Sequence, residues 1–178
     1  MKTNKHYAKI ILAFDIIVAL ICITTDRLLK YYAITKLKAH PNKSLITGIL
    51  ELRYSETTAA AFGLLDNQKS FFILVSVIVL LAIMFAVTKM PKKKHFGGAN
   101  FVLALLFGGI IGNLTDRIMY SCVIDMIYFN QFGIPLFNLA DLYISISILL
   151  LIILVLFFYK EDDFNFLKFK EKRLREVN

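Results

Sequence analysis

Residues 71–87 read FFILVSVIVLLAIMFAV, without a charge and with a single hydroxyl, that of Ser76. A helix needs about 20 predominantly apolar residues to cross the hydrocarbon core of a bilayer. Extended by Ser70 and Thr88, this stretch has that length. Residues 10–32, 99–119 and 141–159 have the same character, so the pattern predicts spans at 10–32, 70–88, 99–119 and 141–159. The composition agrees: 58% hydrophobic, 19% charged, mean hydropathy +0.66. Those values exclude an ordinary soluble domain. The expected class is an all-α integral membrane protein with four transmembrane helices. No long Pro, Ser or Gly linker and no internal repeat divides the chain, so residues 1–178 are read as one domain.

The formal charge of +8 could suggest a nucleic-acid partner. The basic residues instead lie in short runs beside apolar spans. Lys2, Lys5 and Lys9 precede the first span. Lys89, Lys92, Lys93 and Lys94 follow the second, and more follow Lys160. That is the signature of a cytoplasmic leaflet. Both termini and the middle loop are then expected inside, and residues 33–69 and 120–140 outside. Pro91 closes the second helix. The first span looks like a signal peptide, but no small-x-small site follows it. Ile21 before Cys22 is not the small residue that a lipoprotein's own cleavage box requires. Cys22 and Cys122 are isolated, and His6, His40 and His95 are scattered, so no disulfide, metal site or cofactor is expected.

Polar residues stand out against this background. Asp26 and Lys30 lie four apart near the end of the first span, acid first, a spacing that suits a pair. Near the end of the third lie Asn113, Asp116 and Arg117; Asp125, Asn138 and Asp141 come after it. Ionisable groups so close to lipid are costly and need a reason. Gly109, Asn113, Asp116 and Arg117 recur at three- and four-residue steps, so they share an inward helix face. Gly108, Gly109 and Gly112 allow close helix approach. Arg117 is expected to neutralise Asp26 or Asp116. Asp125 sits among Val123, Ile124, Met126 and Ile127, where desolvation resists ionisation. Asn138 is an N-cap candidate that puts Asp141 in the first turn of the last helix. Two carboxyls in unlike surroundings are what an acid–base pair requires. Between the first two spans, His40-Pro41-Asn42-Lys43 signals a turn, and residues 45–54 read as one or two short strands. The tail beyond Lys160 alternates charges with Phe164, Phe166, Phe169 and Leu174, as an amphipathic helix on the inner leaflet would.

The succession G-N-x-x-D-R at 112–117, V-x-D at 123–125 and P-x-F-N-x-A-D at 135–141 resembles the lipoprotein signal peptidase family, signal peptidase II. The resemblance spans about residues 10–160. It implies an aspartyl protease dyad of Asp125 and Asp141. It implies supporting or substrate-binding roles for Asp26, Lys30, Thr57, Asn113, Asp116, Arg117 and Asn138. It also implies a small extracytoplasmic β-cradle, a bacterial cytoplasmic membrane, and an active site at the outer face. The implied substrate is a prolipoprotein carrying diacylglyceryl on its Cys, cut just before that Cys. Membrane lipids are the other expected partners, nucleic acid is not, and the chain is expected to act as a monomer. Three positions depart from the family's pattern near the site: Leu29 for Thr, Thr57 for Asn and Ala59 for Gly. Met126 follows the first Asp where Phe is commoner. Thr57 keeps a hydroxyl but loses the two-sided reach of an amide.

Two rivals stand beside this reading. One is a paralogue that binds lipoproteins or lipopeptides without cleaving them, which the altered second motif would suit. The other is a small ion- or proton-coupled carrier, which predicts acidic residues at mid-membrane.

Overall fold

The computed structural model describes residues 5–39, 42–58, 68–131 and 133–167. The turn at His40-Pro41 and the Ala59–Leu65 part of the second motif lie outside the described residues. Helix α1 spans Lys5–Tyr32, α2 Gln68–Lys89, α3 Gly97–Tyr120 and α4 Leu139–Ile153. The path of α1 continues through five π-helical residues, Ala33–Leu37, and that of α4 through Leu154–Phe158. All four helices are long and apolar enough to cross a membrane. Their outward faces are apolar: Leu20, Leu28, Leu149 and Phe157 are each more than half exposed. An apolar surface this continuous has lipid as its natural solvent.

Helix α3 is the central post. About two thirds of its most apolar window is buried, against 11–17% for the other three. Its glycines make that position possible. A Cβ on Gly108 would stand 2.6 Å from Cys22 Cβ, and one on Gly109 would stand 2.8 Å from the Ala140 carbonyl. A Cβ on Gly112 would stand 2.7 Å from Asp26 Oδ2. Real side chains do not fit at such distances, so α1 and α4 reach α3 only because these three positions lack one. Without a hydrophobic driving force between helices in lipid, such close packing carries much of the association.

A three-stranded antiparallel sheet caps one end of the bundle, in the order β1 (Lys43–Ile46), β2 (Leu50–Thr57) and β3 (Val123–Phe129). Gly48, at φ +76, supplies the turn between β1 and β2. The sequence reads as one or two short strands over residues 45–54 and as none over 123–129. That third strand starts where Ser121, in the left-handed conformation at φ 63, closes α3. A helix commonly ends on one residue of this kind. The π-helical turn supports the sheet from below: Ala33 and Leu37 pack with Ile124 and Met126, all nearly or fully buried. This packing explains why the first helical path runs on to Leu37, past the expected end at residue 32.

At the opposite end, Glu161–Leu167 form a 3-10 segment. Phe166 packs edge-on against Phe96, and Tyr159 stacks on Phe96. The first half of the expected amphipathic tail therefore folds against the bundle end; Phe169 and Leu174 lie outside the described residues.

Candidate active site

Asp125 lies on β3 opposite Ser55 of β2, while Asp141 lies in the first turn of α4. A backbone bridge brings these elements together. Phe137 N–H donates to the Ile127 carbonyl at 3.1 Å, and the Phe137 carbonyl accepts from Ile127 N–H at 2.8 Å. The chain after β3 thus doubles back, and the next residue, Asn138, arrives beside Asp125.

Asn138 then joins the two carboxyls. Its Oδ1 accepts from the Asp141 N–H at 3.0 Å, and its own N–H donates to Asp141 Oδ2 at 3.1 Å. This reciprocal capping box begins α4, as the N-cap reading anticipated. Because Oδ1 is committed to the cap, Nδ2 must point away from it, and it donates to Asp125 Oδ1 at 2.6 Å. Asn138 has no exposed surface and Asp125 is 4% exposed. Thr57, at the end of β2, donates its hydroxyl to Asp125 Oδ2 at 2.5 Å.

Behind the two carboxyls lies a charged cluster. Lys30, 1% exposed, donates to Asp26 Oδ2 at 3.0 Å, Asp116 Oδ2 at 2.7 Å and Asn113 Oδ1 at 3.0 Å. An ammonium has three protons, and all three are used. Asn113 Oδ1 faces Lys30, so its amide nitrogen faces the other way and donates to Asp141 Oδ1 at 2.7 Å. The two carboxylates of the cluster also hold backbone. Asp116 Oδ2 accepts from Ile124 N–H at 3.2 Å, one residue before Asp125. Asp26 Oδ1 accepts from Ala140 N–H at 3.1 Å, one residue before Asp141. A single lysine therefore ties together the anchors of both site carboxyls.

The cluster contains a second cation that the sequence reading missed. Arg27 donates to Asp116 Oδ1 at 2.5 Å, Asp26 Oδ2 at 3.1 Å and the Gly112 carbonyl at 3.1 Å. Two carboxylates thus meet two cations, whose attraction offsets part of the cost of burying them. The expectation that Arg117 neutralises Asp26 or Asp116 is corrected: Arg27 does so. Arg117 donates to the Asn113 carbonyl at 3.4 Å and lies over the Phe72 ring, 5.2 Å from its centre. Its charge acts on Asp141, Asp116 and Asp125 from farther off. Arg27 carried one signal in the sequence, its place beside Asp26. Adjacent residues on a helix do not face each other, so that signal was weak.

Burial pushes the Asp125 carboxyl above the usual carboxylate range. The hydrogen bonds from Thr57 and Asn138 pull it back down in part, while Asp141 raises it further. Among the described residues, no three His, Cys, Asp or Glu side chains gather in a way that could hold a metal ion. Leu29, one of the departures from the family pattern, is 40% exposed and makes no polar link to the cluster.

These features define a multi-pass membrane protein with paired carboxyls at one end of its helices, beneath a small sheet. Residues 18–157 match the family model for signal peptidase (SPase) II. The chain is 35% identical over 150 residues to the lipoprotein signal peptidase of Lactobacillus johnsonii, covering 84% of this chain and 96% of that one. It is 30% identical over 145 residues to the lipoprotein signal peptidase of Staphylococcus aureus, covering 80% and 88%. Among solved structures it is similar to a bacterial membrane enzyme determined by the in meso method at 1.9 Å resolution. That likeness has a TM-score of 0.75 at 28% identity and covers 82% of this chain and 94% of the other. The chain belongs to the signal peptidase II family, and so to the peptidases of bacterial membranes.

Proposed function

We propose that the chain is an aspartic endopeptidase that removes the signal peptide of diacylglyceryl-modified prolipoproteins, cutting just before the lipidated Cys. One observation carries the reading: Asn138 holds both Asp125 and Asp141, and Lys30 ties together the backbone anchors beside each of them. Structure of this density around two carboxyls serves their mutual placement.

In the mechanism Asp125 enters protonated, in keeping with its burial. Asp141 takes a proton from a water placed between the two, and the hydroxide formed attacks the scissile carbonyl carbon. Asp125 donates its proton to the carbonyl oxygen as that oxygen gains charge. The proton on Asp141 then passes to the peptide nitrogen, the C–N bond breaks, and the carbonyl re-forms as Asp125 regains its proton. The products are a signal peptide with a new carboxyl terminus and a Cys with a free amine. A substrate with two acyl chains reaches such a site by lateral diffusion, which suits a site at the ends of the helices. The whole chain acts as one peptidase unit and as a monomer, with its termini cytoplasmic and the sheet outside. Labelling of single cysteines placed in β1 checks that orientation. Reaction with an impermeant reagent added outside the cell is expected; reaction from the cytoplasm alone would reverse the topology.

The four site carboxylates lie near one end of the bundle, which removes the support for a mid-membrane ion pathway. The direct test is incubation of the purified protein with a diacylglyceryl-modified precursor. Release of the signal peptide is expected. Binding without release would favour a non-cleaving paralogue.

Thr57 separates two readings of the altered second motif. Its hydroxyl lowers the Asp125 pKa, so Thr57→Val removes a bond that favours the charged form. The pKa rises further, Asp125 keeps its proton to higher pH, and the alkaline limb of the pH–rate profile moves upward. An unmoved limb with a raised KM would assign Thr57 to substrate contact instead.

A further inference from the structure

At the other end of the bundle, α1 and α2 part around an open cleft of about 290 Å³. Ala8, Leu12 and Val87 give it apolar walls, and Lys9, Thr88 and Lys92 give it a polar mouth. Lys92 is half-buried, and its ammonium is held in place: it donates to Asn100 Oδ1 at 3.1 Å. Asn100, 1% exposed, is itself fixed by donating to the Phe96 carbonyl at 3.0 Å. Among the described residues, neither Lys9 nor Lys92 has a carboxylate within ion-pair distance. Deeper in α1, on its buried side, lies Asp15, 7% exposed, whose two carboxylate oxygens have no hydrogen-bond partner. Its charge acts on Lys92 from a distance, and burial of Lys92 outweighs that attraction. The sequence reading passed over Asp15 as part of an apolar run.

The cleft is far from the peptidase site. Asn100 and Asp116 stand at opposite ends of α3, which at 1.5 Å per residue puts them roughly 24 Å apart. That is close to the thickness of a bilayer's hydrocarbon core, about 30 Å. The cleft therefore opens at the second membrane surface, with lysines at headgroup depth and apolar walls toward the acyl chains.

We propose that this cleft is a binding site for one anionic phospholipid, its phosphate between Lys9 and Lys92 and an acyl chain along Ala8, Leu12 and Val87. A preformed ammonium above apolar walls fits a lipid phosphate better than a free anion, which would leave those walls unused. The Lys89, Lys93 and Lys94 charges near the mouth add general attraction but line no part of the cleft. Asp15 opposes the phosphate and sets the affinity from below. The site owes nothing to the peptidase reading and stands on the membrane-spanning fold alone.

The test is native mass spectrometry of the purified full chain from micelles holding equal phosphatidylglycerol and phosphatidylcholine. Wild type is expected to retain one phosphatidylglycerol in preference. Lys9→Gln and Lys92→Gln should each lower that preference, by roughly five-fold, since a lysine near a charged lipid surface is worth about that much. Asp15→Asn should raise it. Lys93→Gln with Lys94→Gln, twice that loss of charge but outside the cleft, should change it little. Far-UV circular dichroism checks that every variant keeps its helix content, and Asp15→Asn decides the matter if a lysine variant fails to fold. Equal losses in the cleft and control variants would reduce the effect to general surface charge and overturn the site. Displacement of the lipid by inorganic phosphate alone would overturn the lipid assignment.

Discussion

Asp125→Asn and Asp141→Asn each lower cleavage of a lipidated precursor by about 10³-fold, the scale on which positioned acids and bases act. Both variants still insert and fold, because the amide keeps the shape and most of the hydrogen bonds. At position 141 the amide oxygen can still accept from the Asn138 N–H, and the one bond lost is that from Asn113 Nδ2, which then faces the new NH₂. At position 125 it can accept from Asn138 Nδ2, and the new NH₂ faces a Thr57 hydroxyl able to accept. What each variant lacks is a group that can exchange the proton. Single-turnover assays on purified variants measure this, with far-UV circular dichroism as the check on folding. Turnover near the wild-type rate in either variant would remove that residue from the chemistry.

Lys30→Met destabilises the protein by about 3–5 kcal/mol, the usual cost of removing one partner from a buried charge pair. Lys30 is 1% exposed, and Asp26 and Asp116 are wholly buried. The substitution leaves two buried carboxylates to a single cation, Arg27. In a chain of this length the loss corresponds to roughly 10 °C in the thermal midpoint. Activity falls too, because Asn113 loses the ammonium that sets its orientation toward Asp141. Lys30→Met combined with Asp116→Asn should recover part of the stability, since the second change removes the stranded charge. Thermal unfolding of the two variants in the same detergent measures the difference. A single variant as stable as wild type would show that the cluster does not depend on its lysine.

Residues close in sequence were the readable part of the site. Asp26 and Lys30 pair because four positions make one helical turn. Asn138 caps because it stands just before a long apolar run, and Gly108, Gly109 and Gly112 mark a face that other helices approach. Arg27 and the strand at residues 123–129 were not readable in the same way. Arg27 gains its role from Asp116, which comes 89 residues later in the chain. Residues 123–129 become a strand because β2 lies alongside to receive their backbone hydrogen bonds; their apolar run alone would suit a buried helix as well. Asp15 was a single charge in an apolar run, and the cation that acts on it, Lys92, comes from the loop after α2.

By itself the sequence determined the solvent of this protein and the inventory of its chemistry. Apolar runs of bilayer length admit no other stable surroundings, and the acidic and amide residues at their ends follow the order of one family. Only the tertiary structure decided which amide faces which carboxyl, which cation neutralises Asp116, and how Asp125 comes within reach of the helix that carries Asp141. Those choices depend on distances between segments far apart in the chain. The close approach of three helices at Gly108, Gly109 and Gly112, and the return of Phe137 onto β3, set those distances.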